Sequence, residues 1–146
     1  MGKMTKSIEI EASPEKVFAF VIDMKKMNDA LKEWAVGNWT SEGPISLGST
    51  AHYAGTKQRF NKGEEWNAIV TEFTKDKSLT MSLKGANEHS NDQTNYYMFE
   101  PTTKGAKVTF IMEYKTPSSI LGKFIDALVA REGTKMMETL KRAVEG

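Results

Sequence analysis

The order in which apolar residues change their period constrains this chain more than any single motif. Alternation with a period of two comes first, then two short stretches at helical spacing. Six further strand-like runs follow, and a long amphipathic helical pattern runs to the last residues. Each strand has one apolar face to bury, and the terminal helix carries an apolar stripe long enough to cover a sheet. The arrangement that buries both is a sheet wrapped around that helix. It can leave an apolar cavity between its two layers, so the pattern points to where a ligand would sit more clearly than to what happens there.

Local signals set the expected boundaries. Ile8, Ile10 and Ala12 alternate with Ser7, Glu9 and Glu11 in a half-buried strand that ends at Ser13. Ser13-Pro14-Glu15-Lys16 reads as a helix start, with Ser as N-cap and Pro at the first helical position, where its missing N–H does no harm. Val17, Phe18, Val21 and Ile22 form its apolar stripe. Asp23 can cap a second short helix carrying Met24, Met27 and Leu31, after which Trp34 and Val36 open an extended segment. Gly43-Pro44 and Leu47-Gly48 mark turns.

Beyond Gly48 extended runs follow one another through short connections with no helical pattern between them, which predicts an antiparallel meander. Alternation places Ala51, Tyr53 and Gly55 on the concave face, then Trp66, Ala68 and Val70, then Leu79, Met81 and Leu83. Asn95, Tyr97 and Phe99, and finally Val108, Phe110 and Met112, complete it. Ile69 and Phe73 violate the pattern around Trp66, as a bulge or a one-residue slip in that strand would make them do. Pro117-Ser118-Ser119 ends the last strand and caps the long helix, in which Ile120, Leu121, Phe124, Leu128, Met136, Leu140 and Val144 recur near the helical period. Gly133, inside that pattern, marks a kink, a close backbone contact or a break.

At 146 residues the chain fits one domain, 1–146, without linker, repeat or low-complexity segment. Twenty Lys and Arg against nineteen Asp and Glu leave a net charge of +1 with no basic stripe, so nucleic acid is not an expected partner. The absence of cysteine removes disulfides and thiolate chemistry and suits a reducing compartment. No run approaches the roughly 20 apolar residues that span a bilayer, and the start lacks a signal-peptide stretch, so a cytoplasmic protein without integral membrane association is expected.

Several stretches, taken in order, resemble the START-related helix-grip (SRPBCC) superfamily, and within it the polyketide cyclase/dehydrase-like branch. They are Ile8 through Phe18, Gly43 through Gly48, and Trp66 through Phe73. Phe99-Glu100-Pro101, Gly105 through Thr109, and the helix from Ile120 to Leu140 follow. The resemblance implies an α+β helix-grip fold: a seven-stranded antiparallel sheet around a long C-terminal helix, with two short helices after the first strand. It also implies a cavity, with entry controlled by the second-helix region and the Gly43-to-Gly48 turn. It transfers no activity, because the superfamily holds binders, cyclases and co-chaperones alike.

The candidate ligand-binding residues are Tyr53, Trp66, Met81, Asn95, Tyr97, Phe99, Phe110 and Met112 on the sheet, with Phe124 and Leu128 on the helix. Apolar walls with a few placed polar groups, here Tyr53, Asn95, Tyr97 and the Trp66 N–H, are what small-molecule cavities use, and Met adapts to ligand shape. For catalysis the candidates are Tyr97 as a donor polarising a carbonyl, Glu72 as a base and Arg131 as a partner for a ligand carboxylate. His52 and His89, the only histidines, fall on an outer face and in a polar connection, so neither a metal site nor any cofactor is expected. The leading reading is a binder of a small hydrophobic or amphipathic ligand such as a lipid, polyketide or aromatic metabolite. A cyclase/dehydrase-type enzyme using the same cavity is the second reading. A co-chaperone-like domain with a protein partner is the third, and the oligomeric state is left open.

Overall fold

The computed structural model describes residues 2–146. Strand β1 (Gly2–Ile10) is followed by helices α1 (Pro14–Ile22) and α2 (Met24–Leu31). Strands β2 (Ala35–Trp39), β3 (Thr50–Gly55), β4 (Glu65–Thr74), β5 (Ser78–Gly85), β6 (Gln93–Pro101) and β7 (Ala106–Tyr114) come next, and helix α3 (Ile120–Glu145) last. One antiparallel sheet takes the order β1-β7-β6-β5-β4-β3-β2. The meander therefore runs from β2 to β7, and β1 closes onto β7 at the far edge. The α1–α2 pair carries the chain from one edge strand to the other. The fold is α+β, with two short helices after the first strand and a long C-terminal helix, as the helix-grip resemblance implies.

Caps and turns follow local chemistry. Ser13 Oγ accepts from the Lys16 N–H at 3.2 Å and Asp23 Oδ1 from the Lys26 N–H at 3.1 Å, each satisfying an N–H that the first helical turn leaves open. Ser119 stands at the N-cap of α3 without a side-chain capping bond. Strand β1 begins earlier than its alternation suggests, because Lys6 interrupts the apolar series that Met4 would otherwise start. Helix α2 secures the edge strand β2: Asn28 Nδ2 donates to Gly37 O and the Gly37 N–H donates back to Asn28 Oδ1, both at 2.8 Å. This occupies backbone groups that an edge strand would otherwise leave open.

The irregularity expected around Ile69 and Phe73 is a bulge. Val70 pairs with Met81 and Glu72 with Thr80, so Thr71 is one residue too many on its strand. Trp66, Ala68 and Val70 face the core before the bulge and Phe73 packs against it afterwards, its ring edge-on to Phe18 at 5.4 Å. Ile69 stays outside, 43% exposed.

Helix α3 is one unbroken helix of 26 residues. Gly133 is there for close approach: a Cβ at this position would lie 2.6 Å from Met4 Cε of β1. The helix runs parallel to β1, with Asp126 near Gly2, Gly133 on Met4 and Lys141 Nζ on Glu9 O. Its buried stripe is Val129, Glu132, Gly133, Met137, Leu140 and Val144. Ile120, Leu121 and Phe124, expected on that stripe, are 74%, 60% and 70% exposed. They precede the point where α3 meets the start of β1 at Gly2, and at about 1.5 Å of rise per residue this part of the helix overhangs the sheet.

Candidate functional site

The inner face of the sheet and α3 stand apart near the end of the sheet where β1 begins. The space between them, flanked by α2, is a cavity of about 430 Å³. Its exposed lining residues, Asn91, Lys115 and Pro117, belong to the β5–β6 and β7–α3 connections and mark the mouth. Residues 43–48 lie at the opposite end of the sheet and contribute nothing to the lining, so the part of the entry expectation that rested on this turn is corrected. Helix α2, the other part of that expectation, does line the cavity through Met24, Met27, Asn28 and Leu31.

One strand carries most of the polarity of the sheet wall. Gln93, Asn95 and Tyr97 project from alternate positions of β6 into the cavity. Their partners in register are apolar or aromatic on both sides: Leu83, Met81 and Leu79 on β5, and Tyr114, Met112 and Phe110 on β7. The result is a polar row between two apolar rails. Within the row Asn95 Oδ1 is buried and has no hydrogen-bond partner among the described residues. An unpaired buried acceptor of this kind costs about 1–3 kcal/mol. Its neighbours across the sheet, Met81 and Met112, have no N–H or O–H to offer in their side chains.

Two phenols complete the polar set. Tyr53 packs against Gly37, where a Cβ would come within 2.6 Å of the ring, and donates its O–H to Met81 Sδ at 3.8 Å. Burial pushes its pKa up to about 12. Burial, together with the nearby Tyr53, raises Tyr97 further still. Both rings are therefore neutral hydrogen-bonding groups at any physiological pH, suited to holding a hydroxyl or carbonyl and unsuited to service as phenolate bases. Glu64 and Lys115 are the only charged side chains in the lining among the described residues. Burial raises the Glu64 carboxyl while the Asn91 N–H works against that rise.

Beside the cavity an ion cluster centred on the buried Glu132 joins three segments. Trp34, a lining residue, donates its indole N–H to Glu132 Oε1 of α3 at 2.8 Å. Lys57 Nζ is 3.7 Å from the same oxygen and 5.6 Å from the Trp34 ring centre, and it also pairs with Glu33. Arg131 Nε stands 3.3 Å from Glu132 Oε2. Burial alone would raise the Glu132 carboxyl, but the Trp34 bond, Lys57, Lys135 and Arg131 together hold it below the usual carboxylate range. Asn61 Nδ2 donates to Trp34 O at 2.9 Å, which fastens the β3–β4 connection to the same cluster.

The structure brings Tyr53, Trp66, Met81, Asn95, Tyr97, Phe110, Met112 and Leu128 together on the cavity wall. Phe99 faces inward but packs beyond the cavity, edge-on to Phe18 at 5.3 Å. Phe124 lies on the overhanging part of α3, away from the lining. The Trp66 N–H is already donated to Asn91 O at 2.9 Å, so this residue offers a ring and no free donor. Of the catalytic candidates only Tyr97 reaches the cavity. The bulge at Thr71 turns Glu72 to the convex face, where it accepts from Thr80 Oγ1 at 3.1 Å. Arg131 is 65% exposed and paired with Glu132. His52 pairs with Glu65 at 3.0 Å and His89 stands near Glu88, and no group of three or more acidic or histidine side chains among the described residues could hold a metal ion. Sequence reading missed Gln93, Glu64, Lys115 and Trp34. Gln93 was accessible to it, two residues before Asn95 on the same face of one strand.

A seven-stranded antiparallel sheet curled on a terminal helix, with an apolar cavity between the layers, defines a helix-grip protein. The chain belongs to the family described as polyketide cyclase / dehydrase and lipid transport, which it matches over residues 1–145. The description unites proteins that handle hydrophobic molecules. Among solved structures the chain is similar to a protein from Mesorhizobium loti, at 11% identity over 97% of this chain and 96% of that one, with a TM-score of 0.73. It is similar to the Aha1 dimer from Colwellia psychrerythraea at 22% identity, 99% and 97% coverage and a TM-score of 0.67. DynU16, a putative protein in the dynemicin biosynthetic locus, matches at 12% identity with a TM-score of 0.72, over 99% of this chain and 48% of that one. At these identities the likeness is one of fold. No curated protein matches the sequence. No helix among the described residues is long and apolar enough to cross a membrane.

Proposed function

We propose that this protein binds a small hydrophobic or amphipathic molecule, of the lipid, polyketide or aromatic class, between the sheet and α3. The observation that carries the proposal is the open interior: about 430 Å³ lined mainly by apolar and aromatic side chains, with a mouth at one end. Affinity comes from apolar burial against Trp66, Met81, Phe110, Met112 and Leu128, worth about 25 cal/mol per Å² before the costs of association. Tyr53, Asn95 and Tyr97 orient the ligand. An open interior supports this reading over a domain that works only through its outer surface, because such a domain gains nothing from an unfilled core.

The test is native mass spectrometry of the protein purified from its own source, followed by extraction of whatever it retains. A stoichiometric apolar or amphipathic molecule is the expected result. A ligand-free mass, together with failure to take up any apolar probe, would sink the proposal. A cyclase/dehydrase-type reaction in the same cavity would use Tyr97 as a neutral donor to a carbonyl, and it is read from Tyr97→Phe. Lost turnover of the extracted compound with binding retained supports the reaction, and unchanged turnover removes Tyr97 from it.

A further inference from the structure

We infer that the ligand presents an uncharged hydrogen-bond donor, the hydroxyl of an alcohol, phenol or enol, to the side-chain oxygen of Asn95 on the sheet wall of the cavity. The inference rests on the ligand-binding reading above and narrows the chemistry of what is bound. Three observations carry it.

The first is the unpaired acceptor itself. Asn95 Oδ1 is buried with no donor among the described residues, on a residue that lines the cavity. The second is its setting. In register Asn95 faces Met81 on one side and Met112 on the other, so neither cross-strand side chain supplies an N–H or O–H whichever way the amide turns. Both are unbranched thioethers that repack easily, and a ligand oxygen can displace them from the amide without disturbing the backbone.

The third observation is the distribution of charge. The charged lining residues, Glu64 and Lys115, lie just outside β4 and β7, beyond the strand positions that flank Asn95. An ionised carboxylate or ammonium brought to Asn95 would lose its water beside two thioethers, with no charged side chain at the positions in register with it. A hydroxyl satisfies the acceptor without that penalty. Tyr97, two residues along the same strand and neutral, can hold a second ligand oxygen.

The experiment compares the full chain with Asn95→Leu, a substitution of similar size that removes the acceptor. The probes are 2-naphthol and its methyl ether, with hydroxypyrene and its methyl ether as a larger pair, and binding is read by quenching of tryptophan emission. The expected result is that each hydroxyl probe binds the wild type about tenfold more tightly than its ether, equivalent to ~1.4 kcal/mol, with the preference reduced to about twofold or less in Asn95→Leu. Comparing the two proteins cancels the difference in hydrophobicity between the probes.

A preference that persists unchanged in Asn95→Leu overturns the inference and leaves the binding reading intact. Binding of no probe by the wild type removes the binding reading and this inference with it. If Asn95→Leu fails to fold, the side-chain amide signals of Asn95 in the nitrogen–proton spectrum of the wild type decide. They move with 2-naphthol and not with its ether if the inference holds, and equal movement or none overturns it.

Discussion

At the scale of single residues, Glu132 shows how a charge survives in the interior. Its side chain is 2% exposed, and it is tolerated there because the Trp34 N–H and several cations converge on the carboxylate. Its pKa is lowered from the ordinary 4.5 in the folded state. The sign of the linkage follows: the contribution to stability is fully present above the unfolded value and is lost as pH falls through the depressed folded value. Glu132→Gln should therefore flatten the decline of the urea midpoint as pH is lowered from about 5 to about 3, relative to wild type. Glu132→Leu, which leaves the Trp34 N–H without its acceptor, should cost about 1–3 kcal/mol in the same titration at neutral pH. A wild-type midpoint indifferent to acid would contradict this account.

The same residue marks what sequence could reveal. Val129, Glu132, Gly133, Met137 and Leu140 fall on one helical face, so an acidic residue within an apolar stripe was visible in the letters. Its partner was not: Trp34 and Lys57 reach it across more than seventy positions of chain, through packing that no local rule encodes.

Among the elements, β4 is the most instructive. Simple alternation from Trp66, Ala68 and Val70 carries on to Glu72, which made this residue a plausible inward base. The extra Thr71 sends Glu72 out and Phe73 in. Deleting one residue from a regular strand turns everything beyond it to the other face. Deleting Thr71 should instead leave both faces as they are, since it removes the residue that has no partner. The expected outcome is a folded protein destabilised by no more than about 3 kcal/mol, measured by thermal or urea denaturation, and a deletion variant that cannot fold would refute the bulge assignment. Existence and order of strands were legible because alternation is local. The bulge was legible only as a conflict of Ile69 and Phe73 with the alternation of Trp66, Ala68 and Val70, and its resolution depended on Phe18 waiting across the core. The first turns of α3 were misread for a related reason. Ile120, Leu121 and Phe124 keep the helical period, but the period says nothing about where the sheet beneath the helix ends.

For the molecule as a whole, an unfilled interior links stability to occupancy. A ligand present at one hundred times its Kd adds about 2.7 kcal/mol to unfolding. In a chain of this size that corresponds to a rise in Tm of roughly 5–10 °C. Protein stripped of bound molecules by denaturation and refolding should therefore melt lower than protein as purified, and regain the difference when the extract is returned. Equal melting temperatures before and after stripping would mean that the purified protein carries nothing. The location of the cavity followed from the order of elements, and its wall largely from alternation. Its mouth did not, because it is set by how the β5–β6 and β7–α3 connections meet in space.

The polar row on β6 has a consequence for how such a protein changes over time. Positions 93, 95 and 97 face the cavity while Thr94, Tyr96 and Met98 between them face the other way, and the backbone of β6 is fixed by ladders to β5 and β7. On the proposed binding reading, much of the hydrogen-bonding preference is thus written in three alternate codons of one strand. A descendant could exchange an acceptor for a donor, or a phenol for a hydrocarbon, and meet a new molecule with the same scaffold.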